Sequence, residues 1–153
     1  MTNPYLETIS LVERLHRRFL DVIKLELDKL QIDDINNVQG LMLFNIGDAD
    51  ITMGDLTLRG CYLGSNVSYN VKKMVENGYL EQERSVQDRR SIRVRLTDKG
   101  RRLNDQLSEM YSRHINMLSQ AAISDEDLKL TRTLLGRLER FWIRSSDLIR
   151  YAA

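Results

Sequence analysis

The sequence predicts a mainly α-helical protein carrying one small β-hairpin, and three observations predict it. Apolar residues recur every three or four positions through both ends of the chain, the spacing that lines one face of a helix. The period drops to two near residues 91–96, where Ile92, Val94 and Leu96 alternate with Ser91, Arg93 and Arg95. The one proline is Pro4, so no later proline interrupts a helix. At 153 residues, 42% hydrophobic and 29% charged, the chain suits one globular domain with a real core. Residues 1–153 are expected to fold as that domain, with helical ends (1–34 and 101–153) around a compact lobe (35–100).

The first helix is expected over residues 5–30, with Leu6, Ile9, Val12, Leu15, Phe19, Val22, Ile23 and Leu30 on its apolar side and Arg14, Arg17, Arg18 and Lys24 on its wetter side. A second, over 36–46, is richly apolar through Val38, Leu41, Met42, Leu43 and Phe44, which predicts burial; Gly47-Asp48 ends it. Ile51-Thr52 forms a brief third strand against the hairpin, and residues 53–59 a short helix with Leu56 inward. A turn over 60–64 leads into a further helix with Val67, Val71 and Met74 on one stripe. Ser65, Tyr69, Lys72, Lys73 and Glu76 fall opposite it. Ser65 is the expected N-cap, and Asn77-Gly78 the stop where a left-handed residue is needed.

The hairpin follows at once, with strands over 80–85 and 91–96 and a polar connection ending in Arg89 and Arg90. Thr97 caps a long helix to about residue 121, striped by Leu103, Leu107, Met110, Tyr111, His114, Met117, Leu118 and Ala121. Ser124 caps the last, running to about residue 151. Asp125, Glu126 and Asp127 suit its positive end, and Leu128, Leu134, Leu135, Leu138, Phe141, Trp142 and Ile149 form its stripe.

Helix, tight turn, helix and then a hairpin with a basic tip is a winged helix-turn-helix. Its second helix is shaped to enter a major groove and its hairpin tip to reach an adjacent minor groove. Charge agrees. Residues 84–102 hold eight basic side chains (Arg84, Arg89, Arg90, Arg93, Arg95, Lys99, Arg101, Arg102) against Asp88 and Asp98, in a chain of net charge +1. Such a concentration is a local footprint for a polyanion. A solvated edge hairpin carrying Arg and Lys against aggregation is the bland alternative.

These residues resemble a family. Asp88, Arg90, Ser91, Val94, Leu96, Thr97 and Gly100 match the D-x-R-S-x-x-V-x-L-T-x-x-G wing signature of MarR-type transcriptional regulators, and Ser65 to Ser68 and Asn77 to Leu80 resemble that family's recognition-helix start and helix-to-wing turn. The likeness is strongest over residues 55–100. Within the family, the nearest resemblance is to an alphaproteobacterial branch that includes a regulator of L,D-transpeptidase genes. It implies terminal helices that form a homodimer, and a small, often aromatic and anionic, effector bound between those helices and the DNA-binding lobe. The cleft would involve the first two helices and the base of the long helix after the wing.

The expected partner is double-stranded DNA. Tyr69, Lys72 and Lys73 are candidates for the major groove, where Lys donates to guanine or phosphate and Tyr donates to phosphate or packs on a thymine methyl. Ser65 and Asn66 sit where helix N–H groups favour a phosphate, although capping alone explains Ser65 as well, and Ser68 lies on the flank. The resemblance implies that Arg90 enters the minor groove, with Asp88 orienting it; Arg84 and Arg89 suit phosphate. Arg93 and Arg95 either face phosphate or pair with Glu81 and Glu83 across the hairpin.

The apolar faces of the terminal helices predict a symmetric dimer, which sets two recognition helices about 34 Å apart. A repressor acting by occlusion is the expected regulator. Cys61, alone in its turn, reads as a small buried hydrophobe before a redox switch. His16 and His114 lack ligand spacing, so no metal, cofactor or catalytic residue is expected. The methionines at 42, 53, 74, 110 and 117 suit core stripes. No apolar run spans a membrane and no secretory signal opens the chain, so a cytoplasmic protein is expected. The rival to a DNA regulator is a winged helix used for protein or RNA contacts.

Overall fold

The computed structural model describes residues 1–60, 64–87 and 91–152, with side chains as far as residue 146. It divides into two compact units, Met1–Met110 and Tyr111–Ala153.

In the first unit, α1 (Pro4–Lys29) opens on Asn3, whose side chain accepts the Tyr5 N–H at 2.8 Å. Pro4 takes the first turn, where its missing N–H has no intrahelical partner to lose. Only Ile23 and Leu27 of this helix are buried, while Leu6, Leu11 and Leu15 stay exposed. Its apolar stripe is therefore half used within the chain.

A left-handed residue, Gln31 (φ 57°), turns the chain towards α2 (Asn37–Ile46). Asn36 and Gln39 close a capping box at its start, and Gly47 (φ 57°) ends it. Met42, Leu43 and Ile46 are fully buried, while Val38, Leu41 and Phe44, also expected inside, are half-buried.

The two-residue β1 (Ile51–Thr52) runs directly into α3 (Met53–Gly60), which buries Leu56. Thr52 and Asp55 cap it reciprocally, the Asp55 N–H donating to Thr52 Oγ1 at 3.0 Å. After residues 61–63, α4 (Gly64–Glu76) buries Val67, Asn70, Val71 and Met74.

Strands β2 (Leu80–Arg84) and β3 (Ile92–Leu96) form the hairpin. The sheet is antiparallel in the order β1-β3-β2, with Leu80 opposite Leu96, Arg84 opposite Ile92 and Ile51 opposite Val94. Val94 and Leu96 point into the core while Arg93 and Arg95 alternate outward.

The long helix α5 (Asp98–Leu118) starts at Thr97, whose hydroxyl accepts the Gly100 N–H at 3.1 Å and donates to the Gly78 carbonyl at 2.6 Å. Leu103, Leu107 and Met110 complete the core of this unit.

The second unit comprises the end of α5 and α6 (Asp125–Ala152). Ser124 and Asp127 cap α6 reciprocally, as the Ser-Asp-Glu-Asp run predicts. Two expectations are corrected here. The helix before it ends at Leu118 rather than residue 121, because Ser119 to Ala122 turn back through a left-handed Ala122 (φ 57°). Met117 is exposed and not part of a core stripe.

Among the described residues α6 buries none. Leu128, Leu135 and Trp142, seven apart, are 42%, 41% and 36% exposed on one face, flanked by Phe141 at 55%. No helix among the described residues is long and apolar enough to cross a membrane.

Candidate nucleic-acid interface

The candidate surface is built on α4. Its buried stripe fixes which side faces outward, and Ser65, Asn66, Ser68, Tyr69 and Lys72 are all exposed there. Tyr69 is the most prominent, 61% exposed with its ring standing clear of the core. Lys73 is half-buried and turned along the helix, pairing with Glu76 at 3.5 Å and lying 6.0 Å from the Tyr69 ring centroid. The helix begins at Gly64, so Ser65 lies inside the first turn and is not the N-cap.

Two hairpin arginines are committed to acids. Arg95 is held between Glu81 Oε2 at 3.1 Å and Glu83 Oε2 at 3.2 Å, and Glu83 and then Glu81 raise its pKa. Arg93 does not pair with those glutamates. The central strand places it beside β1, where Nε meets Asp50 Oδ1 at 3.3 Å and Nη2 donates to the Asp50 carbonyl at 3.0 Å.

Lys99 pairs with Asp34 and Arg101 with Asp98. Four of the eight basic side chains in residues 84–102 are thus matched to acids, and the positive footprint is smaller than the sequence count implies. These pairs are exposed, so each stabilises little, and a phosphate can compete for them. Arg84 is exposed at the far end of β2. Asp88, Arg89 and Arg90 lie outside the described residues, as does Cys61.

Sequence reasoning missed what holds α4 in place. Asp34, in the junction between α1 and α2, accepts the Tyr79 hydroxyl on Oδ1 at 2.6 Å and Lys99 Nζ on Oδ2 at 2.9 Å. Its backbone carbonyl accepts Asn77 Nδ2 at 2.7 Å. Lys99 also donates to the Asn77 carbonyl at 2.8 Å and sits 4.3 Å from the centre of the Tyr79 ring. Burial pushes the Asp34 carboxyl up, but the hydrogen bonds from Tyr79 and Lys99 outweigh it and hold the group below its usual range. The same burial and bond raise the Tyr79 phenol.

A second link starts in the core: Gln39 Nε2 donates to Asn70 Oδ1 at 3.1 Å in a buried bond, and Asn70 Nδ2 donates to the Asn66 carbonyl at 2.9 Å in a half-buried one. The Asn36-x-x-Gln39 spacing signals the cap; nothing local signals its bond to Asn70.

Between the end of α1 and the start of α2 lies a cavity of about 360 Å³, floored by Leu27, Ile32 and Ile35 and rimmed by Lys24, Asp28 and Asn37. No residue of α5 lines it, so it covers only part of the cleft expected for an effector. Among the described residues no three His, Cys, Asp or Glu side chains form a metal-holding group.

The chain is similar to known proteins over nearly its whole length. Residues 33–91 match the family model described as the MarR family. The exopolysaccharide II synthesis transcriptional activator ExpG of Rhizobium meliloti (strain 1021) is 36% identical over 138 residues, 90% of this chain and 71% of that protein.

Among the solved structures that share the fold are two with bound ligands. Streptococcus pneumoniae FabT in complex with DNA superposes with a TM-score of 0.70 at 22% identity, covering 92% of this chain and 98% of that one. Staphylococcus aureus MarR in complex with salicylate and kanamycin does so with a TM-score of 0.73 at 19% identity, covering 92% and 93%. These matches fix the family and not the branch within it. A winged helix-turn-helix of this layout, with an ExpG-like sequence along nine-tenths of it, belongs to the MarR family of transcriptional regulators, which are not enzymes.

Proposed function

We propose that the protein is a homodimeric, sequence-specific regulator that binds a pseudopalindromic duplex through α4 and the hairpin. The observation that carries this reading is the outward face of α4. Ser65, Tyr69 and Lys72 project from the side opposite the buried Val67, Val71 and Met74, on a helix short enough to lie in a major groove. The family and the DNA complex of the similar FabT support it.

Base contacts are assigned to Tyr69 and Lys72, with Lys73 and Asn66 on the flanks and Ser65 and Ser68 facing phosphate. Arg90 is assigned to the minor groove, oriented by Asp88. Arg84 and Arg89 are phosphate contacts, and Arg93 and Arg95 reach DNA only by exchanging an acid for a phosphate. The dimer is assigned to the terminal helices (residues 1–34 and 101–153) and the DNA lobe to residues 35–100. A small aromatic anion is the proposed effector, supported by the α1–α2 cavity and by the salicylate complex of the similar S. aureus protein.

Tyr69→Ala and Lys72→Ala should differ in kind from Arg95→Ala. The two helix variants relax preference at particular base pairs, each contact being worth about 1–3 kcal/mol. Arg95→Ala lowers affinity little and equally on all sequences, while Arg90→Ala weakens binding by an amount like that of the helix variants. The check is a titration on a duplex selected from random sequence and on its scrambled form, at two salt concentrations. Equal losses on both duplexes for the helix variants, with a changed preference for Arg95→Ala, would make the hairpin the reader.

Repression by occlusion is the proposed sign. Activation is the second reading, favoured by the name of the 36% identical ExpG. Transcription in vitro from a promoter carrying the selected duplex separates the two.

A further inference from the structure

We propose that residues 34–39, the α1–α2 junction and the first turn of α2, hold α4 at its middle and just past its C-terminal end and set its rotation about its own axis, with Gln39 and Asp34 as positioning residues for DNA recognition. The proposal rests on the reading of α4 as the element that meets DNA.

The grip on the middle of the helix is a chain of hydrogen bonds. Gln39, 6% exposed, uses both ends of its amide: Oε1 accepts the Asn36 N–H at 3.0 Å while Nε2 donates to Asn70. Asn70, 9% exposed, passes the link to the Asn66 carbonyl one turn back. The C-terminal grip is Asp34, whose carbonyl takes Asn77 and whose carboxylate takes Tyr79 and Lys99 just past the helix. One short stretch therefore holds α4 at its middle and just beyond its last turn.

The two kinds of contact on α4 constrain it differently. Burial of Val67, Val71 and Met74 is non-directional, so a small roll of the helix changes their buried area little. Hydrogen bonds weaken steeply as their angle departs from linear, and a buried donor left unpaired is costly. The apolar stripe attaches the helix; the Gln39–Asn70 bond selects its roll. A roll displaces the tips of Tyr69 and Lys72, the long side chains of the outward face, more than any atom of the helix itself.

The test compares Gln39→Leu, Asn70→Leu and the double Gln39→Leu/Asn70→Leu by urea midpoint and by relative affinity for the selected and scrambled duplexes. Each single variant should lose both stability and preference. The cap that Gln39 places on the Asn36 N–H stays lost in both Gln39 variants. The double should regain the part of the loss that comes from leaving one buried amide of the pair unpartnered, since replacing both partners by apolar groups is close to neutral. Its preference should stay reduced by on the order of tenfold, the size of one lost base contact. Full recovery of preference along with stability would reduce the pair to a packing element and overturn the clamp.

Asp34→Ala, on a half-exposed grip outside the core, decides the matter if the double does not fold. A several-fold loss of preference is expected, and a wild-type preference overturns the proposal. Lys72→Ala is run alongside: if it leaves preference unchanged, α4 is not the reader and both readings fall. If it lowers preference while the double retains it, only the clamp falls.

Discussion

Gly100→Ala should cost about 3 kcal/mol of stability, the upper end for overpacking a close contact. Gly100 lies in the first turn of α5, and a Cβ there would be driven into the Tyr79 carbonyl oxygen, 3.2 Å from its carbonyl carbon and 3.4 Å from Leu96 Cβ. Neither obstacle is a flexible side-chain end. The Tyr79 carbonyl also accepts the Thr97 N–H at 3.1 Å, so a shift that makes room also loosens the join between β3 and α5.

Helix propensity pulls the other way, favouring Ala over Gly by about 1 kcal/mol, and the clash wins. Gly136→Ala in α6 isolates the propensity effect. There the nearest atom is Arg140 Nη1 at 3.5 Å, the mobile end of a long side chain. Urea unfolding of both variants should give shifts of opposite sign. A Gly100→Ala protein as stable as the parent would mean that the close approach of α5 to the helix-to-wing turn is wrong.

The second large effect concerns assembly. Leu135→Asp/Phe141→Asp should convert a dimer into a folded monomer. Both side chains are exposed in the single chain, at 41% and 55%, so charge there costs the monomer little and an apolar interface a great deal. Two half-sites held by one dimer gain from effective concentration. The monomer should therefore bind a two-half-site duplex roughly 100- to 10,000-fold more weakly while keeping its affinity for a single half-site. Sedimentation and titration of the same samples measure both. A parent chain that sediments as a monomer at micromolar concentration, or a variant that remains dimeric, contradicts the assignment of the interface.

Local signals in the sequence located nearly every helix and strand. Periodicity placed α4 and β3, Asn77-Gly78 ended α4 at a residue with φ 83°, and Thr97 and Ser124 were visible as caps because capping depends on neighbours three residues away. Gly100 was legible only as one position of a wing signature. Its reason, the Tyr79 carbonyl, belongs to the turn after α4.

What could not be read were the choices of partner. Asp34 meets Tyr79 and Lys99 from 45 and 65 residues away, and Gln39 meets Asn70 from 31. Arg93 was expected either to face phosphate or to pair with Glu81 and Glu83, but its partner Asp50 follows from β3 lying between two strands, which alternation within one strand does not reveal. In α1 the expected stripe held Ile23 but left out Leu27, the other position this chain buries, and included Leu15, which is open, since a stripe does not say how much of it a chain covers by itself.

The shortest strand carries a consequence for folding kinetics. The β2–β3 hairpin and each helix can form from sequence neighbours, whereas Ile51 reaches Val94 only across the whole helix-turn-helix. Contacts of such separation must first overcome the entropy of closing the loop between them, so they form late. The pairing of β1 then contributes after the rate-limiting step. Trimming Ile51, buried to 5% exposure, to Val should speed unfolding and leave the folding rate nearly unchanged. A fall in the folding rate equal to the lost stability would place β1 in the nucleus instead. On this account the two-residue strand is a latch that governs how long the lobe stays closed, and has little part in how fast it is built.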